Sequence, residues 1–259
     1  MLHAWLILPL ISAASSAEAP ADVVQAIPSG SINWTEMRLV VSSRSDIKKG
    51  AWKDRRVQEQ DALDSLPPRL HKAARAVQVT PESTAADLIS DGGEAALAVE
   101  EGLTNWRVIE TRYHATGGVE MDGGLDLEQL LRPAVAALAT GAPTAPIVPG
   151  APTGVVIDAR GLPFVPCVAP SVLAADGRAV VRAQLLSEEA ARFSTPVVFV
   201  SDPAASRAWK RAGDNPIFAR ASAGRECELT LEATSALAAD PAAAPLIAAA
   251  RVVIVVGAL

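Results

Sequence analysis

Residues 140–153 read Thr-Gly-Ala-Pro-Thr-Ala-Pro-Ile-Val-Pro-Gly-Ala-Pro-Thr, and residues 154–162 continue Gly-Val-Val-Ile-Asp-Ala-Arg-Gly-Leu. Four prolines and two glycines within the first stretch forbid a continuing helix or a central strand, because each proline removes an amide donor and fixes φ. Such a segment is an extended, semi-rigid linker. Beyond it lies a short, strongly apolar strand over residues 154–158 that leaves its sheet at Asp158-Ala159-Arg160-Gly161. The chain therefore divides into residues 20–139 and 154–259, joined by residues 140–153.

The amino-terminal end has a different character. Residues 2–14 are an apolar run interrupted by Pro9, with Ser15-Ser16-Ala17 and Ala17-Glu18-Ala19 next, placing small residues where a signal peptidase cuts. The run is shorter than the ~20 apolar residues a permanent membrane span needs. Residues 1–19 are thus expected to be a signal peptide, cleaved near Ala17 or Ala19, and the mature chain to be periplasmic. No later segment is apolar and long enough to cross a membrane. The formal net charge of −6 excludes a general nucleic-acid binder, which needs a concentrated basic face. In an oxidising compartment Cys167 and Cys227 can form a disulfide; the other reading is two independently buried thiols.

Periodicity gives an α+β chain of two small α/β-type domains. The first reads as strand, helix, hairpin, helix. Its strand is expected over residues 32–42. A helix starts near Ala51, with Leu63, Leu66, Leu70, Ala74 and Val77 as one buried stripe. Pro67-Pro68 is expected to break that helix near Leu66, Ser65 capping a second one. Two short helices separated by Gly92-Gly93 span residues 85–101. Strands at residues 106–115 and 119–127 form a hairpin through Thr116-Gly117-Gly118, and a helix closes the domain over residues 126–139. The second domain reads as a mixed sheet with crossover helices. Strands are expected at residues 154–158, 178–185, 196–201, 226–231 and 251–256, a loop at 162–176, and helices at 203–211 and 234–250, the last kinked at Pro241. Residues 226–256 read as a crossover unit with parallel strands.

The search for chemistry is largely negative. The sequence has no Gly-x-Ser-x-Gly nucleophile elbow, no His/Cys cluster at metal-ligand spacing, and no phosphate-cradling or dinucleotide glycine loop. Gly92-Gly93, Gly117-Gly118 and Gly123-Gly124 read as turn glycines. Neither a catalytic set nor a cofactor or metal is expected. Asp158 and Arg160 stand two residues apart at a strand's carboxyl end, where open α/β sheets bind ligands. The same two residues also suit a local ion pair that pins the proline-rich loop. Arg44, Lys48, Lys49, Lys53, Arg55 and Arg56 form a basic stretch that could face an acidic partner or anionic headgroups, or simply be solvated.

Several of these segments resemble an exported bacterial family, that of the twenty-kilodalton membrane-associated lipoprotein and the related flagellar assembly protein T. The resemblance is carried by residues 154–178, with their strand, Asp-Ala-Arg-Gly-Leu, proline-containing loop and Asp-Gly-Arg turn. Gly30-Ser-Ile-Asn-Trp34, Tyr113 with Gly117-Gly118 and Val119-Glu120-Met121, and Arg251-Val-Val-Ile-Val255 add to it. It implies an α+β envelope protein without catalysis, in some members a ring or scaffold component of the flagellar motor, with envelope or flagellar basal-body proteins as partners. The lipobox cysteine is missing here, so lipidation is not implied. The sequence therefore points to a non-enzymatic envelope protein acting through protein contacts. The alternative is a periplasmic small-ligand binder or hydrolase using Asp158 and Arg160.

Overall fold

The computed structural model of the chain describes residues 21–45, 54–115, 117–144, 150–257 and 259. The expected signal peptide, the proline-rich centre of the linker at residues 145–149, and Lys48, Lys49 and Lys53 lie outside these residues.

The first half opens with β1 (Val24–Ile27), β2 (Gly30–Asn33) and β3 (Arg38–Ser45), paired antiparallel in that order. The single strand expected over residues 32–42 is in fact two strands of a hairpin. Asn33 makes the turn: its side-chain oxygen accepts from the Glu36 amide at 3.0 Å, and Met37 adopts φ 52°. Trp34 and Met37 are both buried, so the turn looks apolar in sequence and its asparagine signal is masked.

Helix α1 (Arg55–Arg75) runs unbroken through Pro67 and Pro68, which corrects the expected interruption. Ser65 caps no second helix; its hydroxyl donates to the Ala62 carbonyl at 2.9 Å. The helix survives because Gln58, Ala62, Leu66, Leu70 and Ala74 form a strict i, i+4 buried stripe against β3, while Pro68 is exposed. Packing of that face outweighs the loss of amide donors on the other. After α1 come the short strands β4 (Gln78–Thr80) and β5 (Ser83–Thr84), then α2 (Ala85–Ser90) and α3 (Gly93–Gly102). As expected, the two helices part at Gly92-Gly93, both at positive φ. The hairpin β6 (Arg107–Tyr113) and β7 (Val119–Asp126) completes a sheet ordered β1-β2-β3-β7-β6, and α4 (Leu127–Leu138) comes next. Gly123-Gly124 lies within β7 rather than in a turn. A Cβ at Gly123 would meet Leu70 Cδ1 at 2.9 Å and Leu66 Cδ2 at 3.2 Å, so glycine lets α1 lie close on the sheet.

The second half begins at β8 (Gly154–Asp158), as expected. It continues through β9 (Ser171–Leu173), β10 (Ala179–Val181), α5 (Glu188–Phe193), β11 (Val197–Val200), α6 (Ser206–Ala212), β12 (Pro216–Arg225), β13 (Glu228–Leu231), α7 (Ala243–Ala248) and β14 (Val252–Val255). The seven strands are ordered β10-β9-β13-β12-β8-β14-β11. Strands β12, β8, β14 and β11 are parallel. One face of this group packs α6 through Val156, Val200, Val253, Val255, Ala208 and Ala212; the other enters the main core. The long β12 holds β8 with its first residues and β13, antiparallel, with its last, shifting register between Ala221 and Ala223.

Three expectations fail here. Strand β9 lies inside the stretch read as loop. The alanine-rich helix over residues 234–250 shrinks to a 3-10 turn, Ala236–Ala238, and α7. Strands β13 and β14 are not a crossover pair, since β12 and β8 stand between them. Strand β12 accounts for the last error: its Ala-Arg-Ala-Ser-Ala run has little β-branched content to announce it.

One apolar core runs through both halves. Trp34 meets Phe199 edge-on at 6.0 Å, and Phe199 lies 6.1 Å from Phe164. The amides of Val168 and Ala169 donate to the carbonyls of Gln78 and Val79 at 3.3 and 2.7 Å. At the start of the linker, the Thr140 and Ala142 amides donate to the carbonyls of Gln184 and Leu186 at 3.3 and 3.1 Å. The halves are thus fastened together, not merely tethered.

Candidate functional site

Arg160 sits just past the end of β8, where the chain turns through Gly161 at φ 78°. Its Nε donates to Asp158 Oδ1 at 2.9 Å and its Nη2 to Oδ2 at 2.7 Å, while its own amide donates to Oδ1 at 3.1 Å. This bidentate pair holds the Asp158 carboxyl below the usual carboxylate range, the side-chain bonds from Arg160 outweighing burial. It raises the Arg160 guanidinium in turn. Both residues therefore spend their charge on each other, and neither lines the groove between the two halves.

Cys167 and Cys227 are bonded, with Cα atoms 5.3 Å apart, and both are fully buried. The pairing fastens the loop after β8 to the β12–β13 turn, where Cys227 adopts φ 61° and its amide donates to the Val165 carbonyl at 2.9 Å.

Of the basic stretch, Arg44, Arg55 and Arg56 are described. Arg55 stacks 3.8 Å above the Tyr113 ring and lies 3.6 Å from Glu59. Tyr113 in turn donates to Glu59 at 3.0 Å. Arg55 is thus engaged within the first half.

On the exposed face of the first sheet, Arg112 of β6 reaches three carboxylates. Its Nη1 donates to Glu110 and Asp122 and its Nη2 to Glu120, each at 2.7 Å. Ser42 adds a 2.6 Å bond to Asp122, and His114 lies 3.0 Å from Glu120. Burial works against the Asp122 charge, but the bonds from Arg112 and Ser42 outweigh it and hold the carboxyl below its ordinary value. The Glu120 carboxyl is also lowered, mainly by Arg112. This network is internally satisfied, which marks it as a device for shaping the sheet face.

A well-formed concavity lies between the halves. It is a groove of about 460 Å³, inside the range of roughly 300–1,000 Å³ typical of ligand sites. Its apolar floor comes from Ile27, Ile32, Trp34 and Val77. The first half supplies Arg69 and Lys72 from α1, and the second supplies Val165, Pro166 and Glu226. Pro166 and Glu226 each precede a cysteine of the disulfide, so the bridge sets the position of that wall. Arg69 Nη1 donates to the Ser42 carbonyl at 3.1 Å, which orients the guanidinium and leaves its other donors unused among the described residues. Neither Lys72 nor Glu226 has a side-chain hydrogen bond or ion pair among the described residues.

Sequence reasoning misses Arg69, Lys72 and Glu226. Their only local signal is Arg69 and Lys72 at i, i+3 on one helix face, a spacing common on solvated helices. What makes a site of them is the second half closing over the end of α1. Among the described residues no group of three or more His, Cys, Asp or Glu side chains could hold a metal ion, and no helix is long and apolar enough to cross a membrane.

Residues 154–258 match the family model described as Treponema pallidum Tp0624, second domain, a bacterial family. The match begins at the first residue of β8. No curated protein matches the chain.

Proposed function

We propose that this chain is a non-catalytic, exported envelope protein that works by contact, and that the groove between its halves is its working surface. The observation that carries the reading is the groove itself: an apolar floor flanked by an unpaired cation and an unpaired anion among the described residues. A concave apolar lining flanked by charges of both signs offers a partner complementarity of shape and of charge. The buried disulfide agrees with an oxidising compartment, and hence with the signal-peptide reading of residues 1–19. The resemblance to the membrane-associated lipoprotein and to flagellar assembly protein T supports an envelope scaffold, ring-forming in some members, as the setting; this is an argument by analogy. The alternative, a small-ligand or hydrolytic role for Asp158 and Arg160, first requires breaking their bidentate pair.

The test is crosslinking of an epitope-tagged copy in intact cells, with envelope fractionation and mass spectrometry as the readout. The expected product is one defined envelope protein joined through residues of the groove. A chain that stays free in the periplasmic fraction, with no crosslinked species, rules the reading out.

A further inference from the structure

We propose that the groove receives the C-terminal tail of a partner protein: apolar residues ending in a free carboxylate, with a basic residue upstream. This rests on the groove being the working surface. The carboxylate belongs with Arg69 and Lys72, one helical turn apart on α1 and both facing the groove. Arg69 is already oriented by the Ser42 carbonyl, so its remaining donors are preorganised for a planar anion. Lys72, with no partner among the described residues, supplies the second positive charge.

The apolar side chains of the tail cover the accessible apolar lining, Ile27, Pro28, Ala76 and Val165, beneath which Ile32, Trp34 and Val77 are already buried. Two amide side chains suit an extended backbone rather than a hydrocarbon. Gln25 uses its oxygen on Trp34 Nε1 at 2.9 Å, leaving its NH₂ as a donor. Gln78 uses its NH₂ on the Thr80 carbonyl at 2.7 Å, leaving its oxygen as an acceptor. A fatty acid would leave both unmatched, at the cost of stranded polar groups. Glu226, on the opposite wall and unpaired among the described residues, disfavours a purely anionic ligand and selects a cation upstream of the tail's end. This fixes the orientation: carboxyl terminus toward α1, upstream residues toward the second half.

Calorimetric titration of the oxidised protein tests this with four probes: acetyl-Lys-Leu-Val-Leu as the free acid, the same peptide as its C-terminal amide, acetyl-Glu-Leu-Val-Leu as the free acid, and dodecanoate. The free-acid lysine peptide binds best. Amidation weakens it roughly tenfold or more, the size of one lost charge-assisted hydrogen bond. Lys72→Glu, on an exposed site, has the same effect without moving the melting temperature. Glu226→Gln removes the preference for the lysine peptide over the glutamate peptide. Equal binding of acid and amide, tighter binding of dodecanoate, or binding of none of the four overturns the proposal. Crosslinking at the groove in cells separates the two claims. A groove that captures an envelope protein yet binds no peptide loses the tail and keeps the contact reading; one that does neither loses both.

Discussion

Among single residues, two glycines set how closely layers approach, and they differ in what they approach. A Cβ at Gly154 would lie 2.4 Å from Ala212 Cα and 2.5 Å from its carbonyl oxygen, which is backbone of α6 and cannot swing away. At Gly123 the obstacles are the tips of Leu66 and Leu70, which can rotate. Gly123→Ala is therefore expected to cost about 1–3 kcal/mol, as overpacking does, and Gly154→Ala distinctly more; thermal melts of the two variants check the order. Arg112 gives a second residue-level prediction. Asp122 and Glu120 have folded pKa values below their ordinary ones, so the unfolded chain binds more protons in that window. Their contribution is present above about pH 5 and lost as pH falls through the folded values. Arg112→Ala should cost about 1–3 kcal/mol at neutral pH. It should also flatten the rise of stability between about pH 3 and 5, because only the Ser42 bond then opposes the burial of Asp122. Urea melts across that range read both effects; an unchanged slope would show that Arg112 does not set those carboxyls.

At the level of elements, the instructive departure is α1. Proline pairs normally end helices, because the residue before a proline avoids the helical region, and Pro67-Pro68 predicts such an end. Instead the five buried positions from Gln58 to Ala74 hold the helix through them. Pro68→Ala restores an amide for the Asp64 carbonyl and frees Pro67 from the pre-proline restriction. It should stabilise the protein by about 1–3 kcal/mol, seen as a higher melting midpoint; a lower one would mean the proline shapes a kink the fold needs. The hairpin of β6 and β7, the glycine break between α2 and α3, and the apolar strands β8, β11 and β14 are legible in the sequence, since turn chemistry and β-branched runs act locally. Strand β12 is not, because its alanines and arginines become a strand only between β8 and β13. The Cys167–Cys227 bridge is legible as an option, and only the fold brings the two together. Removing it should cost about 4 kcal/mol in the chain-entropy model. Because Pro166 and Glu226 adjoin it, reduction should also weaken whatever the groove binds, measurable by melts and titrations with and without reductant.

For the molecule as a whole, the beginning of the second half at Gly154 is readable from the prolines before it and the apolar run after it. The sharing of one core is not. Trp34, Phe199 and Phe164 lie far apart in sequence, and nothing local announces that a tryptophan in a strand turn of the first half will pack on a strand of the second. The candidate site suffers the same limit: Arg69, Lys72 and Glu226 are ordinary surface residues until the halves meet. The reverse holds for Asp158 and Arg160, conspicuous in sequence and paired with each other in the structure. If the groove between the halves is where this protein meets its partner, a photo-crosslinking amino acid placed there should capture that partner in intact cells. One position is Ala76, exposed and lining the groove; the comparison is Phe193, 72% exposed and not part of it. The expected result is a discrete adduct from Ala76 that is absent from Phe193. No adduct from Ala76, or the same adducts from both positions, would mean that the partner is met elsewhere.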